Sequence, residues 1–407
     1  MKTKLALLLI VNIACALSLH AQSRVDSLMH IYDFATAAKV LQRQISQAAG
    51  AGEPVAALEE YLRKAEMGER MLQATEKVVF LDSVVMPADE VLTKLRLTPH
   101  AGKLMAIGDF FPEGLPNGFV GQGTMYVGDY ADRVFLAQPD SNGLSKLHSA
   151  RLLAGRWTAP QPLPGLENAA DIQDYPFAMP DGQTIYFAAQ GPQSLGGYDI
   201  FVTRYDADAG HYLKPAHLGF PFNSTANDYL YVIDEAAGVG YFITDRNQAP
   251  GEVCLYAFIP NSSHDIYLLN GENTDTVRRA ARIASINELG AGSEQAIATR
   301  RAANKLLSQS QQQSDAPILI VIDDTHVYTN PSQLKSTTAA RIATEYIVRQ
   351  RELKEIETRL SAARENYAAS HDEHVAQQII NLEEHEENLR AAIHRMAKNM
   401  RQAELSQ

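Results

Sequence analysis

Cysteine is almost absent from this chain, which has two among 407 residues. Cys15 lies in the apolar run at the N-terminus, so Cys254 is alone in the rest of the chain and an internal disulfide is excluded there. Cys254 belongs to the strand-like run VCLYAF, without the His or Asp partner that activates a thiol. We therefore predict that Cys254 is a buried apolar residue.

Long apolar runs are missing beyond the N-terminus. Met1–Ala21 reads MKTKLALLLIVNIACALSLHA, in which Lys2 and Lys4 precede an apolar run from Leu5 to Ala14. This pattern is typical of a secretory signal peptide, here with cleavage after Ala21. The alternatives are a lipoprotein signal cut before Cys15 and a retained membrane anchor. No later segment has about 18 consecutive apolar residues, so no transmembrane span is predicted in the mature chain.

Basic residues are too few to suggest a nucleic-acid partner. The chain has 36 Lys and Arg against 48 Asp and Glu, a formal charge of −12. Loss of the signal removes Lys2 and Lys4 and no acid, which brings the charge to −14. Because phosphate binding needs local positive charge, nucleic acid is not expected as a partner.

Recognisable catalytic motifs are also missing. The chain has no Gly-x-Ser-x-Gly elbow, His-Glu-x-x-His, P-loop or paired Cys-x-x-Cys. Ser332 and Lys335 match Ser-x-x-Lys, but the companion motifs of serine acyl enzymes are absent. His371 and His374 have a spacing that metal ligands use, although a solvated turn explains them better. We predict no enzymatic activity, no cofactor and no metal.

Helical periodicity marks residues 22–76. Apolar residues recur at spacings of three and four, and GAGEP at 50–54 separates two amphipathic stretches. The piece YDFATAAKVLQRQI resembles part of a tetratricopeptide repeat. Since such arrays need about three repeats, we favour a helical cap that docks on the rest of the chain.

From Lys77 to residue 263 the period changes to two, with short aromatic-rich strands between turn residues. Three segments align: GTMYVGDYADRVFLAQ, DGQTIYFAAQGPQSLGGYDIFVTRY and GVGYFITDRNQAPGEVCLYAF. Their anchor tyrosines are Tyr126, Tyr186 and Tyr241. Each segment contains a strand, a loop and a second strand, followed in the first two by a polar strand with proline.

Small sheets repeated in this way favour a β-propeller. A lone small sheet leaves open edges and an unburied face, whereas radial packing buries the faces against each other. Asp181-Gly182 supplies the turn before TIYF, since glycine accepts a positive φ. Gly196-Gly197 allows the second strand to begin close to a neighbouring backbone. The predicted fold is mainly β with α segments: a small or incomplete propeller with a helical cap.

The same residues resemble a known family. MPDGQTIYFAA and GGYDIFVTRYD resemble the PD40 type of WD40-like propeller repeat, found in TolB-like periplasmic proteins and in outer-membrane proteins with an OmpA-like domain. KPAHLGFPFNSTANDYLYV and GVGYFITDR resemble the linker and the next blade, so the likeness covers about 171–258. The candidate blade-signature residues are Asp181, Gly182, Gly196, Gly197, Tyr198, Asp199, Asp245 and Arg246.

The chain departs from this family in two ways. The family often has Ser-Asn-Arg after the first strand. At this place one blade of the chain has Ala-Gln-Gly (189–191) and the other has Thr-Asp-Arg (244–246). Three blades are visible, and closed propellers usually have at least four. The strand that starts near Lys77 and a late strand at 318–329 would complete the ring, or the ring is open. Asp199 is expected to be a structural hydrogen-bonding residue.

The C-terminal residues 336–407 predict an antiparallel helical hairpin. From Ile342 apolar residues alternate at three and four, which is a heptad seam. The two halves mirror each other about His371, so Leu360 faces Leu382 at one level. Each arm would be about 30 residues and roughly 45 Å long. The preceding 264–335 is predicted to be a linker or insertion with helices and one β-hairpin.

These features together predict an exported, non-enzymatic scaffold. The resemblance implies the periplasm or the inner face of the outer membrane, with envelope proteins as partners in assembly, secretion or transport. No OmpA-like domain is visible, so anchoring to peptidoglycan is not implied. The alternative is a module that binds carbohydrate or peptidoglycan fragments, with Trp157 as its candidate platform. A hydrolase is the third, less favoured alternative.

Overall fold

A computed structural model describes residues 24–406, apart from 112–113, 122, 129–132, 154–155, 262, 264, 316–319, 324–325, 329 and 371–372. The chain divides into two compact units, of which the first ends at Leu307 and the second begins at Ser308. The predicted signal peptide, including Ala21 and Cys15, lies outside the described residues.

Helices account for more of the described residues than strands do, so the chain is mixed rather than mainly β. After a helical stretch at 24–30, the helices are α1 Phe34–Ala51, α2 Ala56–Gln73, α3 Val91–Lys94, α4 Ile107–Phe110, α5 Thr274–Ala281, α6 Glu294–Asp315, α7 Thr337–Ser370 and α8 Glu373–Leu405. Among the described residues, no helix combines the length and the apolar composition that are needed to span a membrane.

The strands are antiparallel throughout the described sheets. They are β1 Val79–Pro87, β2 Lys103–Ala106, β3 Thr124–Val127, β4 Arg133–Pro139, β5 Ser145–Leu153, β6 Arg156–Trp157, β7 Gln161–Pro162, β8 Ile172–Ala178, β9 Thr184–Gln190, β10 Asp199–Asp206, β11 His211–Tyr212, β12 Ala216–His217, β13 Asp228–Asp234, β14 Val239–Thr244, β15 Glu252–Ile259, β16 Ile320–Val321 and β17 Val327–Tyr328. Short 3₁₀ turns occur at Ala88–Glu90, Pro99–Ala101 and Pro331–Gln333.

Three sheets of the first unit repeat one meander. Strands β2-β3-β4-β5 form the first sheet, β8-β9-β10 the second and β13-β14-β15 the third. Short strands extend two of them, since β6 and β7 pair with β5, and β11 and β12 pair with β10. The fourth strand of the third sheet is β1, which comes from far upstream and pairs with β15. This pairing covers an edge that would otherwise be exposed.

Tyr126, Tyr186 and Tyr241 occupy equivalent places in the three sheets. Each lies on the second strand of its meander, on β3, β9 and β14 respectively. Their cross-strand partners are Leu104 and Phe135, Phe177 and Val202, and Val232 and Ala257, in the same order. The alignment of the three segments is therefore confirmed at these positions.

The three sheets share one apolar core. The first strand of the second sheet, β8, contacts β3, β4 and β5, and β13 contacts β8, β9 and β10 in the same manner. The third sheet meets the start of the first through Thr98, whose amide and hydroxyl each donate to Asp234 at 2.7 Å. Phe135, Phe187 and Val232, one from each sheet, belong to a single buried cluster. A complete propeller is not shown.

Two sequence expectations about strands are corrected. The late segment 318–329 does not join the three sheets in its described part, because β16 and β17 pair with each other. The segment interpreted as a linker before the third blade contains β13, whose residues are almost all buried. Asp228 and Asp234 at its ends are fully buried and accept hydrogen bonds.

Packing around the N-terminal helices involves the predicted linker. Phe34 stacks on Phe220, with ring centroids 5.9 Å apart, and Val277 of α5 is buried in the same cluster. Ala296 and Ala303 of α6 pack in another buried cluster with β1 and β14. The segment 265–307 therefore contributes to the core of the first unit.

The second unit contains two long antiparallel helices. Arg364 on α7 pairs with Glu383 on α8 at 2.7 Å, and Arg390 on α8 pairs with Glu357 on α7. Glu404, near the end of α8, accepts the amides that precede α7. The buried seam consists of Leu353, Ile356, Leu360, Ala363, Leu382, Leu389 and Ile393. The predicted turn at His371 lies outside the described residues.

Candidate functional site

Asp181 and Gly182 form the turn between β8 and β9. One Asp181 oxygen accepts the amides of Gln183 and Thr184, both at 2.8 Å, and the other accepts the Thr184 hydroxyl at 2.6 Å. Gly182 has φ +68°, a conformation that L residues rarely adopt. The aspartate is thereby engaged in local structure rather than directed at a ligand.

Asp199 begins β10 and is fully buried. Its carboxylate accepts the amides of Leu195 at 2.5 Å and Gly196 at 3.3 Å, and lies 2.7 Å from Nε2 of His217. Asn223 continues the network, since it bonds both the amide and the carbonyl of Ile200. These contacts fix the start of β10 against the segment that leads to β13.

Gly196 and Gly197 allow the same two segments to approach closely. A Cβ on Gly196 would lie 1.8 Å from the Ala226 carbonyl oxygen, and one on Gly197 would lie 2.1 Å from Oδ1 of Asn227. That asparagine oxygen accepts the amide of Tyr198 at 3.0 Å. The glycine pair thus permits hydrogen bonding between the second and third sheets.

Replacement of Gly196 by alanine should destabilise the first unit by about 1–3 kcal/mol, because a backbone carbonyl must move to make room. Denaturant unfolding of the purified protein measures this loss. Gly50→Ala is a matched control in α1, where nothing lies within 4 Å of the added carbon. It should stabilise by about 0.5–1 kcal/mol, since alanine is the better helix former. Equal effects of the two changes would contradict the close approach.

Arg246 follows β14 and is 4% exposed. Its guanidinium donates to Asp228 Oδ1 and the Phe222 carbonyl, both at 2.7 Å, and to the Pro221 carbonyl at 2.8 Å. The ion pair joins the end of β14 to the start of β13. Arg246 is therefore a structural residue whose donors are mostly occupied.

Cys254 takes the place in the third sheet that Asp199 has in the second. Cys254 pairs across the sheet with Thr244, as Asp199 pairs with Ala189. The prediction that Cys254 is buried is confirmed, since it is 3% exposed, and burial raises the pKa of its thiol. The thiolate that a nucleophile needs is consequently disfavoured.

Asp245 lies beside a cluster of three tyrosines at the junction of the second and third sheets. The rings of Tyr175, Tyr198 and Tyr229 meet pairwise, with centroids 5.6 to 6.1 Å apart. Asp245 accepts the Tyr229 hydroxyl at 2.9 Å and the side-chain amide of Asn227 at 2.7 Å. All three tyrosines are half-buried, so each keeps some surface in contact with solvent.

Asp174 lies at the base of this cluster. It accepts the Thr124 hydroxyl at 2.6 Å and the Tyr175 amide at 2.7 Å, and burial raises its pKa above the ordinary 3.8. The folded state therefore binds more protons than the unfolded state between the ordinary and the raised pKa. Stability falls as pH rises through that window.

Asp174→Asn should remove this dependence. The variant should gain stability relative to the parent as pH rises from about 4, because its amide has no charge to bury. Denaturant unfolding at several pH values measures the gain. Asp171→Asn, at an exposed position nearby, is the control and should follow the parent. A constant difference between Asp174→Asn and the parent across the range would contradict the assignment.

Trp157 is half-buried in an aromatic cluster rather than free on the surface. The rings of Phe110, Phe111 and Phe119 contact it edge-on, with centroids at 5.8, 6.0 and 6.4 Å. These neighbours limit the ring area that a sugar would stack on.

A cavity of about 330 Å³ opens beside Arg246. His30 from the N-terminal helical stretch, the loop 224–226, and Arg279 and Arg282 near the end of α5 all line it. Arg246 was among the candidate blade-signature residues, whereas Arg279 and Arg282 were not predicted from the sequence. The run TVRRAARIAS did contain a signal, because Arg279 and Arg282 are three apart and so lie on one side of the chain as α5 ends.

The chain was compared with protein-family models, curated proteins and solved structures, and none of the three comparisons produced a match.

Proposed function

We propose that this chain is an exported, non-enzymatic scaffold that binds other proteins of the Gram-negative cell envelope. Its body is an open propeller of three PD40-like blades, and its helical hairpin carries the partner surface. The observation that carries this proposal is the hairpin, in which helices of 34 and 33 residues bury one seam and leave their outer faces exposed.

The polar blade-signature residues form their hydrogen bonds inside the protein, which supports a scaffold rather than an enzyme. Asp199, Asp228 and Arg246 are at most 4% exposed; Asp199 accepts the Leu195 amide, and Arg246 donates to Asp228. Buried, fully engaged groups hold sheets in a fixed arrangement, whereas catalytic groups need access to a substrate. The repeated meander and the stacking of β8 and β13 on the preceding sheets support the blade interpretation.

The exposed faces of the hairpin support a role in protein binding. Val348 on α7 is 54% exposed and Ile380 on α8 is 55% exposed, although both are large apolar side chains. Each arm is about 50 Å long at 1.5 Å per residue. Such a helix pair offers partner helices a long surface with apolar anchor points. The N-terminal signal pattern supports placement of this surface in the periplasm.

Site-specific photo-crosslinking in intact cells tests the proposal. A photoreactive residue at Val348 or Ile380 should capture discrete envelope proteins. The same residue at Leu213, which is 46% exposed in the first unit, is the matched control and should not capture them. Deletion of residues 336–407 should abolish co-purification of the captured proteins. Identical capture from all three positions, or none from the hairpin, would reject the hairpin as the partner surface.

The tyrosine cluster favours a second candidate, the binding of glycan or peptidoglycan fragments. Tyr175, Tyr198 and Tyr229 combine part-exposed rings with the polar groups of Asp245 and Asn227. Sugars bind to such combinations through stacking and hydrogen bonds.

Calorimetric titration with soluble peptidoglycan fragments tests this second candidate. Loss of binding in Tyr198→Ala or Trp157→Ala, with unchanged secondary structure, would support it and would identify which ring is used. Absence of saturable binding by the parent protein would reject it.

A further inference from the structure

We propose that the cavity beside Arg246 binds a small organic molecule through one carboxylate or phosphate group, with Arg282 as its main ligand. This inference does not depend on the scaffold proposal, because the cavity lies wholly within the first unit.

Arg282 is the first reason to expect an anion. Its Nε is buried and has no hydrogen-bond partner among the described residues. Arginine stays charged in proteins, so the cost of burying this unpaired N–H cannot be removed by loss of its proton. The Arg282 side chain lines the cavity, and a guanidinium matches the geometry of carboxylate or phosphate oxygens.

The other two arginines that line the cavity are already neutralised. Arg246 pairs with the buried Asp228, and Arg279 forms a two-point ion pair with Glu288. Among the arginines that line the cavity, Arg282 is the one that pairs with no carboxylate of the described residues. This balance favours a ligand that enters the cavity with one anionic group.

The neighbouring groups are hydrogen-bond donors. Burial raises the pKa of Tyr32 to about 12, so its hydroxyl stays protonated at neutral pH. His30 also faces the cavity and donates from at least one ring nitrogen in either protonation state. Donors of this kind stabilise an oxyanion.

Backbone strain is the second reason to expect a binding site. In the described part of the chain, the non-glycine residues with positive φ are Tyr32, Tyr175, Asn247 and Ile283. Tyr32 and Asn247 line the cavity, and Ile283 lies between two lining residues, Arg282 and Ala284. A β-branched residue at φ +51° is especially unusual. Strain of this kind tends to collect at ligand-binding sites, because it is kept where it positions functional groups.

Cavity size limits the ligand. A volume of about 330 Å³ lies at the lower end of the range of ligand pockets, which is roughly 300–1,000 Å³. The cavity therefore fits one small molecule or the charged end of a chain. A free carboxylate and a phosphate share the recognised chemistry, and the experiment separates them.

Isothermal titration of the full mature protein tests the proposal with three compounds. They are inorganic phosphate, an N-acetylated dipeptide with a free carboxylate, and the same dipeptide as its C-terminal amide. At least one anion should bind saturably at millimolar concentration, and the amide should not bind. Arg282→Gln should weaken this binding by at least about tenfold. Arg301→Gln, at an exposed arginine of α6, is the matched control and should leave the affinity unchanged.

A second variant keeps the test decisive if Arg282→Gln folds poorly. Ala284 is exposed at the cavity edge, so Ala284→Phe should fill the cavity while Arg282 is retained. It should lose binding by a similar factor without a change in the thermal unfolding midpoint. The proposal is overturned if neither anion binds, if the amide binds as well as the acid, or if the folded variants keep the parent affinity.

Discussion

Replacement of Arg246 by methionine should lower the free energy of unfolding of the first unit by about 3–5 kcal/mol. Asp228 is fully buried, and the change would leave its carboxylate without a countercharge. The carbonyls of Pro221 and Phe222 would lose a donor as well. Denaturant unfolding, followed by the fluorescence of the single tryptophan, Trp157, measures the loss within the same unit.

Two controls separate the ion pair from a general effect of methionine. Arg301→Met, at an exposed position, should change stability by no more than about 0.5 kcal/mol. Arg246→Met combined with Asp228→Asn removes both charges and should recover part of the loss, because a neutral side chain costs less to bury. A loss below about 1 kcal/mol in the single variant would mean that the pair is not buried.

The sequence predicted the repeated sheet elements because their determinants are local. Turn residues such as Gly182 and the alternation around Tyr186 lie within a few residues of the strands they specify. Asp199 was likewise predicted to be a structural hydrogen-bonding residue, and its acceptor role begins with amides three and four residues away.

Strand partners were harder to predict, because pairing depends on contacts between distant segments. Nothing near β1 indicates that its partner is β15, about 170 residues later. The strand β13 was missed for a related reason. Its terminal residues Asp228 and Asp234 are buried aspartates, and the donors that stabilise them include Arg246 and Thr98, which lie far away in the sequence.

The cavity as a whole could not be predicted from the sequence, although the spacing of Arg279 and Arg282 was visible there. Its charged residues come from three separate parts of the chain, represented by His30, Arg246 and Arg282. The positive φ of Ile283 has no signal in the sequence, because isoleucine normally avoids that conformation. Tertiary packing imposes the strain, so only a structure reveals it.

The hairpin was the part predicted most fully, because a heptad pattern indicates both that a segment is helical and which side of the helix is buried. The sequence placed Leu360 opposite Leu382, and both belong to the buried seam. The seam also contains the smaller Ala363, so the apolar area that each residue buries differs along the seam. Large apolar residues such as Leu382 should therefore contribute most of the stability of the helix pair.

Replacement of Leu382 by alanine should lower the stability of the hairpin by about 2–5 kcal/mol. Leu382 is 1% exposed, so its loss would leave a cavity in a seam that has only one layer of side chains. Hydrogen exchange of α7 and α8 in the full chain, read by mass spectrometry, reports opening of these helices separately from the first unit. Exchange in both helices should accelerate together, since neither has another described partner seam of this length.

Ile380→Ala is the matched control for this prediction. Ile380 lies two residues away on the same helix but is 55% exposed, so its truncation should change hairpin stability by about 0.5 kcal/mol or less. The contrast tests the orientation of α8 directly, because a rotated helix would bury Ile380 and expose Leu382. Faster exchange in Ile380→Ala than in Leu382→Ala would show that the seam has been assigned to the wrong face.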